Sequence, residues 1–161
     1  MTPDRPSSPS APRGFRVAGI NHIGLAPKDP AKARWFFAEA LGLAYLGAEL
    51  VAAQETNTVM FEAQPPDASR PAATAAGGRL EILEPQDGNR GPIARFLEKK
   101  GSGIHHVALS VDDVTVAIAH LRRLGVRMID ETARDGAHAT RIAFVHPEST
   151  GGLLVELVQE A

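Results

Sequence analysis

The chain repeats itself, and that constrains its fold more than any other feature. INHIGLAPKDPAKARWFFAEALGLAYL, starting at Ile20, aligns with IHHVALSVDDVTVAIAHLRRLGVRMI, starting at Ile104. His22 falls on His106 and Asp29 on Asp113, and the LGL of Leu41–Leu43 falls, one residue slipped, on the LGV of Leu124–Val126. TVMFE (Thr58–Glu62) then matches RIAFV (Arg141–Val145). RLEIL (Arg79–Leu83) matches LVELV (Leu154–Val158), placing Glu81 over Glu156. The order in both copies is a His strand, a helix, two strands and a Glu strand.

Local signals support that order. Asp29 before Pro30 reads as an N-cap followed by proline at the first helical position, and Gly42 as the stop. Ala33, Phe36, Phe37, Ala40 and Leu41 recur at helical spacing. In the second copy Asp113 caps, Val114, Ala117, Ile118, Leu121 and Leu124 form the apolar stripe, and Gly125 ends it. GPIARFLEKKG reads as a linker helix over about 91–100, with Pro92 near its start and lysines in its last turn. Residues 64–78 read as a long loop. The predicted fold is α+β: two tandem βαβββ modules, about 18–85 and 102–159, forming one curved mixed sheet around a metal-binding cavity. Residues 1–15, rich in Pro and Ser, read as a flexible tail, and 16–161 as a single domain.

Composition bounds the function. Apolar residues make up 43% and charged residues 22%, as in a globular protein. A net charge of −2 gives no global electrostatic case for nucleic acid or an anionic membrane. No apolar run approaches the ~18 residues of a membrane span. The absence of cysteine excludes disulfides, thiolate metal sites and a Cys nucleophile, and it fits a reducing compartment. A cytoplasmic location is expected.

Strand alternation directs attention to the histidines. On 104–111, His105 shares a face with Val107, Leu109 and Val111, while His106 shares the other with Ala108 and Ser110. On the first strand His22 shares a face with Gly24 and Ala26. Those small neighbours leave space, which suits a cavity wall. One strand histidine alone is usually a satisfied core residue, and one strand glutamate a solvated one. Four at matched positions differ: two buried carboxylates without partners are very costly. A divalent ion held by His22, Glu81, His106 and Glu156 removes that cost. His105 reads as structural, His120 as solvated, and His138 and His146 as surface residues. Nothing resembles a Ser-His-Asp triad or a phosphate loop.

The paired modules resemble the vicinal oxygen chelate (glyoxalase/bleomycin resistance/dioxygenase) superfamily. INHIGLAPKD, RLEILEP, PIARFLEKKGSGIHHVAL and GAHATRIAFVHPESTGGLLVELVQ are similar, more narrowly, to the methylmalonyl-CoA epimerase family, over about residues 18–159. The resemblance implies metal ligation by His22, Glu81, His106 and Glu156, with Gln replacing the Glu81 counterpart in some members. It implies cobalt or manganese, with zinc, nickel or magnesium as alternatives, an acyl-CoA substrate and a homodimer. The implied reaction inverts the 2-position of methylmalonyl-CoA. That needs a proton acceptor on one face of the carbon and a donor on the other. Glu156 is the candidate for one. Some relatives carry the other as a Glu on the strand after the first helix, a position aligned here with Thr58; Glu49, Glu55 and Glu62 are nearby substitutes. Lys99, Lys100 and Arg141 are candidate CoA phosphate contacts. The alternatives are a glyoxalase I-type lactoylglutathione lyase and a metal-free small-molecule binding protein.

Overall fold

The computed structural model describes residues 13–63, 78–86 and 90–161. Nearly all of the expected 64–78 loop, and residues 1–12 of the expected tail, lie outside the described residues. The elements are β1 (Val17–Ala26), α1 (Pro30–Trp35, continued by a π-helical turn Phe36–Ala40), β2 (Ala44–Val51), β3 (Thr56–Glu62), β4 (Arg79–Pro85), α2 (Gly91–Lys100), β5 (Gly103–Val111), α3 (Val114–Arg123), β6 (Arg134–Asp135), β7 (Arg141–Val145) and β8 (Val155–Gln159).

The strands form one curled mixed sheet in the order β2-β3-β4-β1-β5-β8-β7-β6. The order is a palindrome of modules. Each His strand pairs in parallel with its own Glu strand, and β1 and β5 join the modules antiparallel at the centre. The predicted caps are made: Asp29 Oδ1 accepts from Lys32 N at 3.0 Å and Asp113 Oδ1 from Val116 N at 2.9 Å.

Two helices cover one face of the sheet. α1 lays Ala33 and Phe37 on Val59, Phe61 and Ile82, and α3 lays Val114, Ala117 and Ile118 on Ala143, Val145 and Leu157. Phe61 and Ile82 are fully buried; burying each side chain contributes about 1.5–3 kcal/mol before entropy is counted. The opposite, inner face carries His22, Glu81, His106 and Glu156. α2 closes one end of it, with Ile93 packed on Ala26 and Leu83.

One expectation is corrected. Phe15, assigned to the tail, packs half-buried against the α3 core, its ring edge-on to His120 at 5.6 Å. An apolar ring beside that core gains more from burial than from solvent, so the folded body begins earlier than residue 16. The second module's edge strand, β6, is only two residues long. Upstream of it, the Asp130 carboxylate accepts the Phe144 N–H at 2.8 Å, so a side chain makes a bond that a longer strand would have made.

Candidate metal centre and active site

Two rows of residues across the sheet build the site. In one, Glu81, Gly24 and His106 are neighbours across β4, β1 and β5; in the other, Glu156, Ala108 and His22 are neighbours across β8, β5 and β1. Each row places a small residue between the glutamate of one module and the histidine of the other. The side chains meet above it. His22 Nε2 lies 3.0 Å from His106 Nε2. Glu156 Oε2 lies 3.3 Å from His22 Nε2 and 3.4 Å from His106 Nε2, and Glu81 Oε2 lies 3.3 and 3.6 Å from the same atoms. All four residues are buried. Donor atoms of His22, His106 and Glu156 all fall within 4.8 Å of one another.

The donor set fits a divalent ion. Two donors about 2.1 Å from one ion at a right angle stand about 3 Å apart, close to the spacing of the two Nε2 atoms. Two imidazoles and two carboxylates suit a borderline first-row cation. Without one, a protonated His22 is the carboxylates' partner. Burial opposes charge on His22, but hydrogen bonding to Glu156 and Glu81 outweighs it and raises its pKa to about 9. Burial likewise opposes charge on Glu156, yet His106 and His22 pull it down to about 2.

His105 departs from its expected place. The β1–β5 register advances from Gly24↔His106 to Leu25↔Ile104, so His105 is the extra residue of a β-bulge and strict alternation fails there. Its ring lies on Phe96 of α2, 5.0 Å between centroids, and its Nδ1 is 3.0 Å from His106 Nδ1. Burial, with the neighbouring His106 adding to it, pushes its pKa down to about 4. The space expected beside Gly24 is likewise not open: the His106 ring fills it.

Cavities flank the centre. One, of about 370 Å³, is bordered by His22, Met60, Arg79, His138 and Glu160; the other, of about 240 Å³, by Thr58, Ile93, His105, His106 and Arg134. Both touch Glu81, Ala137, Ile142 and Glu156. The turn Ala137–Ala139 reaches across the inner face to β2, where Glu49 Oε2 accepts the His138 N–H at 2.6 Å. His138, expected on the surface, therefore borders a cavity.

The remaining candidates fall as follows. Thr58 is buried on β3 directly opposite Glu49 on β2, and its hydroxyl donates to the Glu49 carbonyl at 3.2 Å. Glu49 is on β2, the strand after the first helix, and shares the inner face with Thr58 on β3. Glu62 is tied to Arg79 at 3.3 Å, and Glu55 lies in a left-handed turn against Gly91. Lys99 and Lys100 end α2, with Lys100 Nζ 5.8 Å from the Phe96 ring. Arg141 donates to the Ala133 carbonyl at 2.7 Å.

Known proteins agree with this architecture. The family model for the Glyoxalase/Bleomycin resistance protein/Dioxygenase superfamily matches residues 21–144. The mitochondrial methylmalonyl-CoA epimerase of Bos taurus is 34% identical over 95% of this chain and 81% of its own. The ethylmalonyl-CoA/methylmalonyl-CoA epimerase of Cereibacter sphaeroides is 32% identical over 89% of this chain and 98% of its own. The crystal structure of methylmalonyl-CoA epimerase from Mycobacterium tuberculosis superposes with a TM-score of 0.77 at 34% identity, covering 90% of this chain and 89% of that one. A methylmalonyl-CoA epimerase in complex with methylmalonyl-CoA and NH4+ superposes with a TM-score of 0.79 at 29% identity, over 91% of this chain and 96% of that one. The chain belongs to the Glyoxalase/Bleomycin resistance protein/Dioxygenase superfamily and, within it, to the methylmalonyl-CoA epimerases, enzymes of the isomerase class.

Proposed function

We propose that this enzyme inverts the 2-position of methylmalonyl-CoA and that it does so with a divalent metal held by His22, Glu81, His106 and Glu156. The single observation that carries the reading is the convergence of those four buried side chains from two modules. The metal would be cobalt or manganese, as the family resemblance implies. When bound, it would supply fixed positive charge beside the oxygen that becomes negative as the 2-hydrogen leaves.

The protein's own groups move the proton. Inversion requires one acceptor and one donor on opposite faces of the carbon. Glu156 is one of them, and its carboxylate stays ionised because His106 and His22 hold its pKa low. Glu49 is the other. It shares the inner face with Glu81 through the register Glu49↔Thr58 and Met60↔Glu81, and its partly exposed carboxylate accepts from His138, which borders one of the cavities. The paired cavities admit an acyl group on either side of the centre, and their apolar walls, Ile142 and Met60 among them, limit water near it. Assembly as a homodimer and a cytoplasmic location belong to the same reading. No helix among the described residues is long and apolar enough to cross a membrane.

The test is incubation of one methylmalonyl-CoA stereoisomer with the protein in deuterated water. Metal-dependent exchange of the 2-hydrogen together with formation of the other stereoisomer is expected. Metal-loaded protein that does neither would overturn the assignment, and turnover of the methylglyoxal–glutathione hemithioacetal would replace it with the lyase reading.

A further inference from the structure

Both histidines of the centre follow a bulged residue. The β1–β5 register runs Ile20↔Leu109, then His22↔Ala108, so Asn21 is left over on β1. It also runs Gly24↔His106, then Leu25↔Ile104, so His105 is left over on β5. The two irregularities are equivalent under the pseudo-twofold relation of the modules, since Ile20 corresponds to Ile104 and Ala108 to Gly24. A bulge turns the extra side chain toward the face of the residue after it. Asn21 accordingly reaches across to Ser110 Oγ, on the inner face with His106 and Ala108, at 3.0 Å.

Each extra residue meets the Nδ1 of the histidine that follows it: Asn21 Oδ1 is 2.9 Å from His22 Nδ1, and His105 Nδ1 is 3.0 Å from His106 Nδ1. The direction of the first bond is fixed by its surroundings. The Asn21 amide nitrogen lies 3.0 Å from the Glu160 carboxylate, which only accepts, and Arg79 holds that carboxylate at 2.6 Å. The amide oxygen must then face His22, and the proton of that bond sits on His22 Nδ1. In the second module Nδ1 is the His105 atom turned to His106, at 3.0 Å, and an imidazole has one nitrogen that can accept there.

We propose that Asn21 and His105 are a matched pair of positioning residues. Each accepts the Nδ1–H of the next histidine, fixes that ring's tautomer and orientation, and directs its Nε2 lone pair at the four-residue centre. The assignment rests on reading that centre as a divalent-metal site. It gives His105 a function that strand alternation hides, and it makes an amide and an imidazole equivalent at this position of the repeat.

That equivalence supplies the test, because packing and hydrogen bonding separate. His105→Phe keeps a ring on Phe96 but removes the acceptor, whereas His105→Asn removes the ring and restores the acceptor the first module uses. Cobalt affinity, measured by chelator competition with the visible spectrum of the bound ion, should fall about 10–100-fold in His105→Phe and stay within about threefold of the parent in His105→Asn. Asn21→Leu and Asn21→His should behave as the corresponding pair. A second measurement uses metal-free protein: nitrogen-15 NMR of the imidazoles should show a protected Nδ1–H on His106 in the parent and in His105→Asn, absent from His105→Phe. Equal loss of cobalt affinity in His105→Phe and His105→Asn would overturn the proposal, as would parent protein with no protected Nδ1–H on His106. Parent protein that shows the NMR pattern but binds no cobalt would uphold the pairing and overturn the metal reading instead.

Discussion

The imidazole of His106 stands directly over Gly24: a Cβ added to the glycine would lie 2.3 Å from His106 Cε1 and 2.5 Å from Nδ1. The glycine is there for space, since its φ is not in the left-handed region. Gly24→Ala should fold, at a cost of about 1–3 kcal/mol for overpacking. It should also displace the ring and weaken divalent-ion binding about 10-fold or more, by analogy with lost ligand support. Titration calorimetry beside thermal melts checks both; unchanged affinity would mean that the ring has another place to sit.

Glu49 and Thr58 face each other across β2 and β3, and their substitutions should separate. Glu49→Gln should lower turnover by roughly the 10²–10⁴-fold of a lost general acid–base group, while leaving metal affinity near that of the parent. Thr58→Ala should do far less to turnover, because a threonine hydroxyl is a poor base. Glu156→Gln should lower turnover on a similar scale and weaken the metal as well. Stereoisomer-resolved exchange in deuterated water, run on all three, distinguishes the roles. Full activity in Glu49→Gln would remove it from the mechanism.

Metal-free protein should be most stable near pH 6.5. His22 titrates at about 9 in the fold, above its ordinary 6.5, so its contribution is complete below 6.5 and lost as pH rises through 9. His105 titrates at about 4, so its contribution is complete above 6.5 and lost as pH falls through 4. Glu156, depressed to about 2, adds a contribution present above 4.5 that disappears as pH falls toward 2. Urea denaturation with excess chelator from pH 4 to 9 should trace a maximum. A steady rise across that whole range would contradict the carboxylate pairing of His22.

Truncation should separate two parts of the N-terminal segment. Removing residues 1–12 should leave the melting temperature and activity nearly unchanged, since that stretch is rich in Pro and Ser and has little apolar surface to bury. Removing 1–15 deletes Phe15 and the contact between its ring and His120. A loss of about 1–2 kcal/mol is expected, below the 3–5 of a fully buried phenylalanine. Equal melting temperatures for the two truncations would show that Phe15 contributes nothing.

The sequence by itself determined the two-module plan, the caps at Asp29 and Asp113, and the four residues of the centre. Those follow from self-similarity, helical spacing and the cost of burying an unpartnered carboxylate, all of which can be read along one dimension. What only the tertiary structure decided depends on how β1 and β5 meet. Alternation presumes an unbroken ladder, so it placed His105 on the face of Val107, Leu109 and Val111; a bulge there turns the residue toward His106. It also left the space beside Gly24 open, because the ring that fills it comes from the other module, 82 residues along the chain (106 less 24). The register of β2 on β3 puts both Glu49 and Glu62 on the inner face, and Glu62 is tied there to Arg79. A bulge is one residue of slack between two strands. It is a property of the pair, and neither strand's sequence contains it alone.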